Sequence, residues 1–348
     1  MTEAKELLTG NEAIVRGCVD AGAKIMFGYP ITPSCEILNG WILQADASKG
    51  KTKYLQTEDE IAAGFGVLGA VLAGEKSFTA SAGPGHILMQ DPMAMAENLR
   101  LPFVGIMMQR GGPSTGTVNF SQQEVNLAAF GGNGDGMRIV YSASTVAEIY
   151  ELVIKAFDTA WKYRFPTTVL GDGYLGKMKT TVTLKKPLNP VKSTPILKEL
   201  KDSTNLRNCY STEESLGEVL AKNISDWNIA RYKIAESESY KTADAKTLII
   251  AHGLVASAAK GAVDMMRKDK KKVGIFRPIT LHPFDTRALI SALDGVKKVV
   301  IVESSLNQLS RLVKYELAGM KLDISEVAKP AQGFTPEEII NRLEEING

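Results

Sequence analysis

Cysteine is scarce in this sequence, and the few that are present are isolated. Only three occur in 348 residues, Cys18, Cys35 and Cys209, and no two of them form a Cys-x-x-Cys pair. Isolated thiols build neither a disulfide framework nor an iron–sulfur cluster. Histidine is equally rare, with three residues and no metal-ligand spacing, so no metal site is expected in this chain. A reaction that needs iron–sulfur clusters would have to use clusters held by another chain.

An excess of charge is also lacking. The 41 basic residues nearly balance the 39 acidic residues, which leaves a net charge of +2. This balance, without a basic stretch interleaved with aromatic residues, argues against a nucleic-acid-binding surface. No apolar run reaches membrane-spanning length, and residues 1–10 contain no apolar signal core. We therefore expect a cytoplasmic protein with neither a membrane nor a nucleic acid as its partner.

Short apolar segments alternate with longer amphipathic segments over most of the chain. This alternation predicts an α/β fold with a doubly wound, mostly parallel sheet in residues 1–180. Residues 181–243 have a different character and are interpreted as a linker followed by a polar helical segment. Alternation returns in residues 244–348, which predicts a second, smaller α/β domain. The candidate strands of the first domain are residues 24–28, 77–82, 103–109, 138–141 and 167–170.

Residues 28–34, Gly-Tyr-Pro-Ile-Thr-Pro-Ser, form a stiff corner after the first candidate strand. The two prolines fix their own φ angles and disfavour the helical conformation at Tyr29 and Thr32. Polar groups in such a corner project beyond the carboxyl edge of the sheet, where open α/β folds bind ligands. The alternative is a purely structural connection in which Thr32 or Ser34 caps the next helix.

Glu60 lies near the start of a helix predicted over residues 58–73. One interpretation makes it part of a capping box with Thr57 as N-cap. The other buries its carboxyl against a ligand, where desolvation would raise its proton affinity. In the same helix, Gly64-x-Gly66-x-x-Gly69 matches a dinucleotide-binding fingerprint. Because these glycines fall inside the helix and not at its start, they are interpreted as a packing stripe.

Two further loops follow candidate strands. In residues 81–86, the glycines at positions 83 and 85 free backbone amides that could meet an anion at a helix start. His86 is interpreted as a loop or helix-start histidine. In residues 109–116, Arg110 lies beside flexible backbone, which suits recognition of a carboxylate or phosphate. The alternative for Arg110 is an ion pair with an acidic neighbour at the sheet edge.

With these residues in view, the chain resembles the α subunit of the 2-oxoacid:ferredoxin oxidoreductases. The stretch at 28–34, Glu60, and the stretch Gln-Arg-Gly-Gly-Pro-Ser-Thr-Gly at 109–116 carry the resemblance by their order and spacing. The resemblance returns at 276–284, Phe-Arg-Pro-Ile-Thr-Leu-His-Pro-Phe, in the second domain. It implies a thiamine diphosphate pyrimidine-binding domain followed by a domain like the transketolase C-terminal domain.

The resemblance also implies cofactors and partners. Thiamine diphosphate would be shared with a β subunit that binds the diphosphate and Mg²⁺. The tripeptide Gly-Asp-Gly, which opens the magnesium–diphosphate motif of thiamine enzymes, occurs here at 134–136 and 171–173 without the asparagine pair that completes that motif. Partner chains, including γ and/or ferredoxin-like δ subunits, would hold [4Fe–4S] clusters and pass electrons to ferredoxin. Coenzyme A would be a co-substrate, and the product an acyl-CoA.

Roles are implied for individual residues. Glu60 would be the catalytic residue that hydrogen-bonds a ring nitrogen of the aminopyrimidine and shares its proton. Thr32 and Arg110 would hold the substrate carboxylate, with Tyr29 and Pro30 shaping the pocket. The cofactor-binding residues would be Glu60 and the two loop glycines, Gly83 and Gly85.

Two other functions remain possible from the sequence. One is an NAD(P)-binding dehydrogenase subunit that uses the glycines of residues 64–69, and the other is a non-catalytic scaffold subunit with the same fold. Within the favoured family, the substrate stays open among branched-chain, 2-oxoglutarate and aryl 2-oxoacids. Side-chain selectivity depends on pocket shape and on residues of other chains. Subunit stoichiometry and the electron acceptor are likewise open.

Overall fold

The computed structural model describes residues 4–199 and 206–347. Within these residues the strands form a seven-stranded sheet, a five-stranded sheet and a two-stranded ribbon. The strands are β1 Ala4–Thr9, β2 Ile25–Gly28, β3 Lys53–Gln56, β4 Ser77–Ser81, β5 Val104–Gln109, β6 Ile139–Ser142, β7 Thr167–Asp172, β8 Lys179–Leu184, β9 Ser237–Tyr240, β10 Thr247–Ile250, β11 Val273–Pro278, β12 Thr280–His282, β13 Lys298–Glu303 and β14 Asp323–Ala328.

Helices follow most of these strands, as the alternating pattern predicts. The helices are α1 Gly10–Asp20, α2 Cys35–Ala47, α3 Glu60–Leu72, α4 Pro84–Leu88, α5 Gln90–Leu99, α6 Val125–Phe130, α7 Val146–Tyr163, α8 Gly173–Lys177, α9 Ile196–Glu199, α10 Glu213–Ile234, α11 Gly253–Lys268, α12 Thr286–Ala292, α13 Leu309–Glu316 and α14 Pro336–Asn347. No helix in the described ranges combines the length and the apolar character that a membrane crossing requires.

The seven-stranded sheet has the order β12-β6-β7-β5-β4-β2-β3, and all its neighbouring strands are parallel except the pair β12–β6. Side chains of β5 alternate between its two faces. Ile106 and Met108 pack in the core formed with α1, α2 and α7, whereas Met107 packs in the core that includes α3 and α5. Helices therefore cover both faces, which confirms the predicted doubly wound, mostly parallel sheet.

The five-stranded sheet has the order β14-β13-β10-β11-β9, in which only β9 is antiparallel to its neighbour. Its core contains residues of α11 and α14 on one side. On the other side, Phe276 and Ile301 belong to the same buried cluster as Met107 of the larger sheet. The two sheets are thus joined through a continuous apolar core, and not only through a linker.

Residues 276–284 connect the two sheets in a way that the sequence pattern does not predict. The strand β11 ends at Pro278 in the five-stranded sheet, and β12 then pairs with β6 of the seven-stranded sheet. Residues 181–243, interpreted as a linker followed by a polar helical segment, contain the end of β8, the long helix α10, and β9. Since β9 pairs with β11, part of this segment belongs to the second sheet.

Candidate active site

Four neighbouring parallel strands, β5, β4, β2 and β3, end at the same edge of the larger sheet. The chain leaves them in residues 110–124, 82–86, 29–34 and 57–60, respectively. These segments contain every residue to which the resemblance assigns a role in the site. Topology therefore brings the predicted site residues to one edge, where parallel α/β sheets bind ligands.

Glu60 is the first residue of α3, and Asp59 caps this helix by accepting a hydrogen bond from the Ala62 amide at 2.7 Å. The expectation that Thr57 is the N-cap is therefore wrong, because its hydroxyl donates to the Asp59 carbonyl oxygen instead. The Glu60 side chain is buried, with a relative exposure of 4%. Burial raises the pKa of Glu60, and the charge of Asp59 adds to this effect, while Arg110 opposes it.

The two loop glycines lie against the two charged side chains of the site. A Cβ atom on Gly85 would lie 2.2 Å from Glu60 Oε1 and 2.2 Å from Ser81 Oγ. At Gly83, whose φ is +51°, a Cβ would lie 2.8 Å from Arg110 Nε. Real Cβ atoms do not approach other atoms so closely, so glycine at these positions lets the backbone pass beside Glu60 and Arg110.

Arg110 is buried, with 6% exposure, and is held at the junction of two loops. Its Nη1 atom donates to the backbone carbonyl oxygen of Thr32 at 2.8 Å, and its Nε atom has no hydrogen-bond partner within the described residues. The structure thus joins Arg110 to Thr32 through the backbone of Thr32. The Thr32 hydroxyl instead lies 3.7 Å from Cys35 Sγ. A buried guanidinium N–H without a partner is a candidate ligand donor.

The capping interpretation of the first loop is wrong. The helix α2 begins at Cys35 with Ser34 at the N-cap position, but no side chain there makes a capping hydrogen bond. The Ser34 hydroxyl donates back to the Ile31 carbonyl oxygen at 2.8 Å. Tyr29 and Pro30 are exposed at the rim of this loop. Their predicted role in shaping a pocket stays a prediction.

Glu124, which the sequence analysis did not single out, joins the two remaining loops. Its Oε1 atom accepts hydrogen bonds from the backbone amides of Gly83 and Arg110, both at 3.0 Å, and its Oε2 atom lies 2.8 Å from His86 Nδ1. Both Glu124 and His86 are buried. In the sequence, Glu124 is only an acidic residue in the loop before α6. No local pattern marks its contacts, because its partners lie 14 to 41 positions away along the chain.

Gly64 and Gly66 serve helix packing, as predicted, whereas the prediction is wrong for Gly69, where a Cβ would meet no atom within 4 Å. A Cβ on Gly64 would lie 2.4 Å from Pro92 Cγ, and one on Gly66 would lie 2.4 Å from Phe27 Cδ1. Both glycines lie within α3, several residues after its start at Glu60. A dinucleotide fingerprint instead places its glycines in the turn before the helix, so this stretch provides no basis for NAD(P) binding.

Two family models match consecutive parts of the chain. Residues 16–246 match the family model for pyruvate flavodoxin/ferredoxin oxidoreductase, thiamine diphosphate-binding, and residues 245–339 match that for pyruvate:ferredoxin oxidoreductase core domain II. The chain belongs to the 2-oxoacid:ferredoxin oxidoreductase family as an α-type subunit. In this α-type subunit, the thiamine diphosphate-binding region contains Glu60, Arg110 and Glu124, and hence the whole candidate site.

Relatives of this α-type subunit are similar along nearly all of its length. Ketoisovalerate oxidoreductase subunit VorB from Methanothermobacter marburgensis is 33% identical, over 98% of this chain and 93% of the relative. The 2-oxoglutarate synthase subunit KorA from Methanothermobacter thermautotrophicus is 30% identical, over 100% of both chains. The names of these two relatives refer to different 2-oxoacids.

Solved structures support the same fold. The 2-oxoglutarate:ferredoxin oxidoreductase from Magnetococcus marinus, with 2-oxoglutarate, coenzyme A and succinyl-CoA bound, superposes with a TM-score of 0.85 at 27% identity. The match covers 99% of this α-type subunit but 65% of that chain, so the solved chain is longer. A split-gene transketolase matches with a TM-score of 0.61 at 12% identity, which shows the fold alone.

Gly85→Ala tests whether the glycine cradle positions Glu60. The new methyl group would displace the Glu60 carboxyl and crowd the short, buried Ser81 side chain, so we expect the fold to be retained with a loss of stability of about 1–3 kcal/mol. Affinity for thiamine diphosphate in the assembled enzyme should fall by about tenfold or more, as measured by cofactor titration of activity. Gly69→Ala is the matched control, since a Cβ there meets no atom within 4 Å. Equal cofactor affinity in the two variants would contradict the cradle.

Proposed function

We propose that this chain forms the pyrimidine-binding half of a thiamine diphosphate site shared with a β subunit. The enzyme assembled from them would oxidatively decarboxylate a 2-oxoacid to acyl-CoA and CO₂ and pass the electrons to ferredoxin. The observation that carries this proposal is the buried Glu60, whose pKa is raised by desolvation at the start of α3. A structural helix cap would not need such a carboxyl, because Asp59 already fills that position.

The residues of the site fit the cofactor. A carboxyl whose pKa is raised can hold a proton and share it with a basic ring nitrogen, which is the role proposed for Glu60. Gly83 and Gly85 keep the adjacent loop free of side chains and leave its backbone beside Glu60 and Arg110. When bound, thiamine diphosphate supplies the nucleophilic carbon and the electron sink that decarboxylation requires.

Arg110 and Thr32 are proposed to hold the substrate carboxylate. The Arg110 guanidinium is fixed by its hydrogen bond to the Thr32 carbonyl oxygen and by burial, so its remaining N–H groups are preorganised. A guanidinium fixed in this way supports binding of a carboxylate at this position. Tyr29 and Pro30, exposed at the same rim, would border the pocket that the partner subunit completes.

Mg²⁺, [4Fe–4S] clusters and the diphosphate site are proposed to lie on the β, γ and/or δ subunits. The Asp172 side chain, the centre of the second Gly-Asp-Gly, is buried and caps α8 by accepting from the Leu175 amide at 2.8 Å. Burial raises the pKa of Asp172 to about 7. The acidic residue of this tripeptide is thus occupied by the fold, which supports a magnesium site on another chain.

The experiment that tests this function is a substrate panel. The chain would be produced together with its partner subunits, and reduction of a viologen dye would be followed with branched-chain, aryl and 2-oxoglutarate substrates. We expect reduction to require a 2-oxoacid, coenzyme A and thiamine diphosphate together, and the chain alone to be inactive. Dye reduction that does not depend on thiamine diphosphate would overturn the proposal. Reduction of NAD or NADP in its place would favour the dehydrogenase alternative.

Arg110→Lys tests the proposed carboxylate contact. Lysine cannot hold the Thr32 carbonyl oxygen and a carboxylate with the same rigid geometry. We expect the KM for the 2-oxoacid to rise by roughly tenfold or more, with a smaller change in kcat. Arg311→Lys, at an exposed position on α13, is the control and should leave both constants unchanged. An unchanged KM in Arg110→Lys would remove Arg110 from the substrate site.

A further inference from the structure

Three consecutive side chains at the end of the loop 110–124 bind three different parts of the molecule. Glu124 holds the backbone amides of Gly83 and Arg110. Gln123 holds the backbone amide of Gly112 through its Oε1 atom at 2.8 Å. The Gln122 side chain instead makes its hydrogen bonds with the second domain, at His252 and Ser304. The loop that carries Arg110 is therefore fastened on one side to the cofactor-binding region and on the other to the second domain.

Gln122 uses both ends of its carboxamide. Its Nε2 atom donates to the His252 carbonyl oxygen at 2.8 Å, and its Oε1 atom accepts from the Ser304 amide at 2.9 Å. The backbone amide of Gln122 also donates to the Ser304 carbonyl oxygen at 3.2 Å. Only 1% of Gln122 is exposed. Gly253, with a φ of +55°, completes the fit, because a Cβ there would lie 3.0 Å from Gln122 Nε2.

The two partners of Gln122 belong to one structural feature of the second domain. His252 follows β10 and Ser304 follows β13, and these two parallel strands are neighbours in the five-stranded sheet. Gln122 therefore bridges the carboxyl ends of two adjacent strands. A carboxamide is suited to this bridge because its NH₂ group donates and its oxygen accepts, and neither carries a charge.

We propose that Gln122 is a positioning residue through which the second domain fixes the loop of Arg110. The proposal rests on the substrate role proposed above for Arg110. The connection is short, since only Gln123 separates Gln122 from Glu124, which holds the Arg110 amide. Loss of the Gln122 carboxamide loosens the carboxyl half of the loop, although the backbone hydrogen bond from Gln122 to Ser304 remains. It leaves the buried Ser304 amide unpaired, whereas the His252 carbonyl oxygen still accepts from the Ala256 amide at 3.1 Å. The loop then samples positions in which Arg110 no longer meets the substrate.

A matched control separates positioning from simple domain attachment. Gln308 also joins the two domains, because its Oε1 atom accepts from the Asn126 amide at 2.9 Å. This contact lies at the start of α6, after the loop 110–124 has ended. Gln308→Leu therefore removes an interdomain hydrogen bond of the same kind without releasing the loop. Gln122→Leu removes the bridge itself.

The experiment combines hydrogen exchange with kinetics in the assembled enzyme. In Gln122→Leu, we expect faster amide exchange in peptides covering residues 110–117 and a KM for the 2-oxoacid raised by about tenfold, with a smaller effect on kcat. In Gln308→Leu, exchange in these peptides and KM should match wild type. Equal changes in the two variants would overturn the proposal and reduce Gln122 to an interface residue.

Gln122→Glu provides a second readout that domain attachment alone would not produce. An ionised carboxylate would face the His252 carbonyl oxygen and repel it, whereas a protonated carboxyl could donate to it and restore the bridge. We therefore expect the KM defect of this variant, relative to wild type, to shrink as pH falls from 8 to 6. His252 does not titrate in this window, because burial lowers its pKa to about 3. A KM defect of Gln122→Glu that does not change with pH, together with wild-type amide exchange in residues 110–117, would count against the bridge.

The outcomes also separate this inference from the proposed function. Faster exchange in residues 110–117 of Gln122→Leu, combined with an unchanged KM in Arg110→Lys, would support the bridge and contradict the substrate role of Arg110. A raised KM in Arg110→Lys, combined with wild-type exchange in Gln122→Leu, would support the substrate role and overturn the bridge.

Discussion

Glu60→Gln is expected to reduce 2-oxoacid-dependent dye reduction to about 1% of the wild-type rate or less. Glutamine has the shape of glutamate but cannot give or take a proton, and proton sharing is the role proposed for this buried carboxyl. The measurement is kcat of the assembled enzyme under saturating thiamine diphosphate. Glu58→Gln, an exposed carboxyl two residues earlier, is the matched control and should retain full activity.

The same variant should not be less stable than wild type at neutral pH. Because burial raises the pKa of Glu60, the folded chain binds this proton more tightly than the unfolded chain does. Ionised Glu60 is therefore unfavourable in the fold above its folded-state pKa, and stability recovers as pH falls through that pKa. We expect Glu60→Gln to equal or exceed wild type in Tm at pH 8, with the difference fading towards pH 5. Near-normal turnover in this variant would refute the assignment of Glu60.

The larger sheet could be predicted because its central strands carry uninterrupted buried side chains. All residues of β4, β5 and β7 are buried, and each of these strands overlaps a predicted strand, at residues 77–82, 103–109 and 167–170, respectively. The edge strand β3 was missed, since its four residues are all exposed and carry no such signal. Yet β3 is the strand that leads to Glu60. The sequence therefore identifies Glu60 as a site residue but does not predict the strand that positions it.

The candidate site was predictable only where one loop carried its own signal. Prolines marked residues 28–34, and glycines marked residues 82–86 and 110–116. Interactions between loops had no local signal. The partners of Gln122 lie 130 and 182 positions away in the chain, and a glutamine in a loop has no pattern that distinguishes a bridge from a solvated side chain. The crossing of β12 into the larger sheet is similar, because a three-residue strand is too short to show a period.

Glu124 fixes the loops of the candidate site relative to one another, although these loops follow different strands. One carboxylate fixes the amide of Gly83, the amide of Arg110 and the ring of His86. Gly83 and Gly85 in turn limit where Arg110 and Glu60 can lie. A change at Glu124 should therefore affect both charged residues of the site, although Glu124 is not proposed to contact the cofactor or the substrate.

Glu124→Ala is accordingly expected to be the most destabilising of these substitutions. It leaves two buried amides and the buried His86 Nδ1 without their partner, a loss on the order of 3–5 kcal/mol. The measurement is the midpoint of urea unfolding, with Glu151→Ala at an exposed position on α7 as control. Glu124→Gln should lose less, because its carboxamide oxygen still accepts both amides and its NH₂ group can donate to a neutral His86. If Glu124→Ala unfolded at the same urea concentration as the control, the carboxylate could not be what holds these loops together.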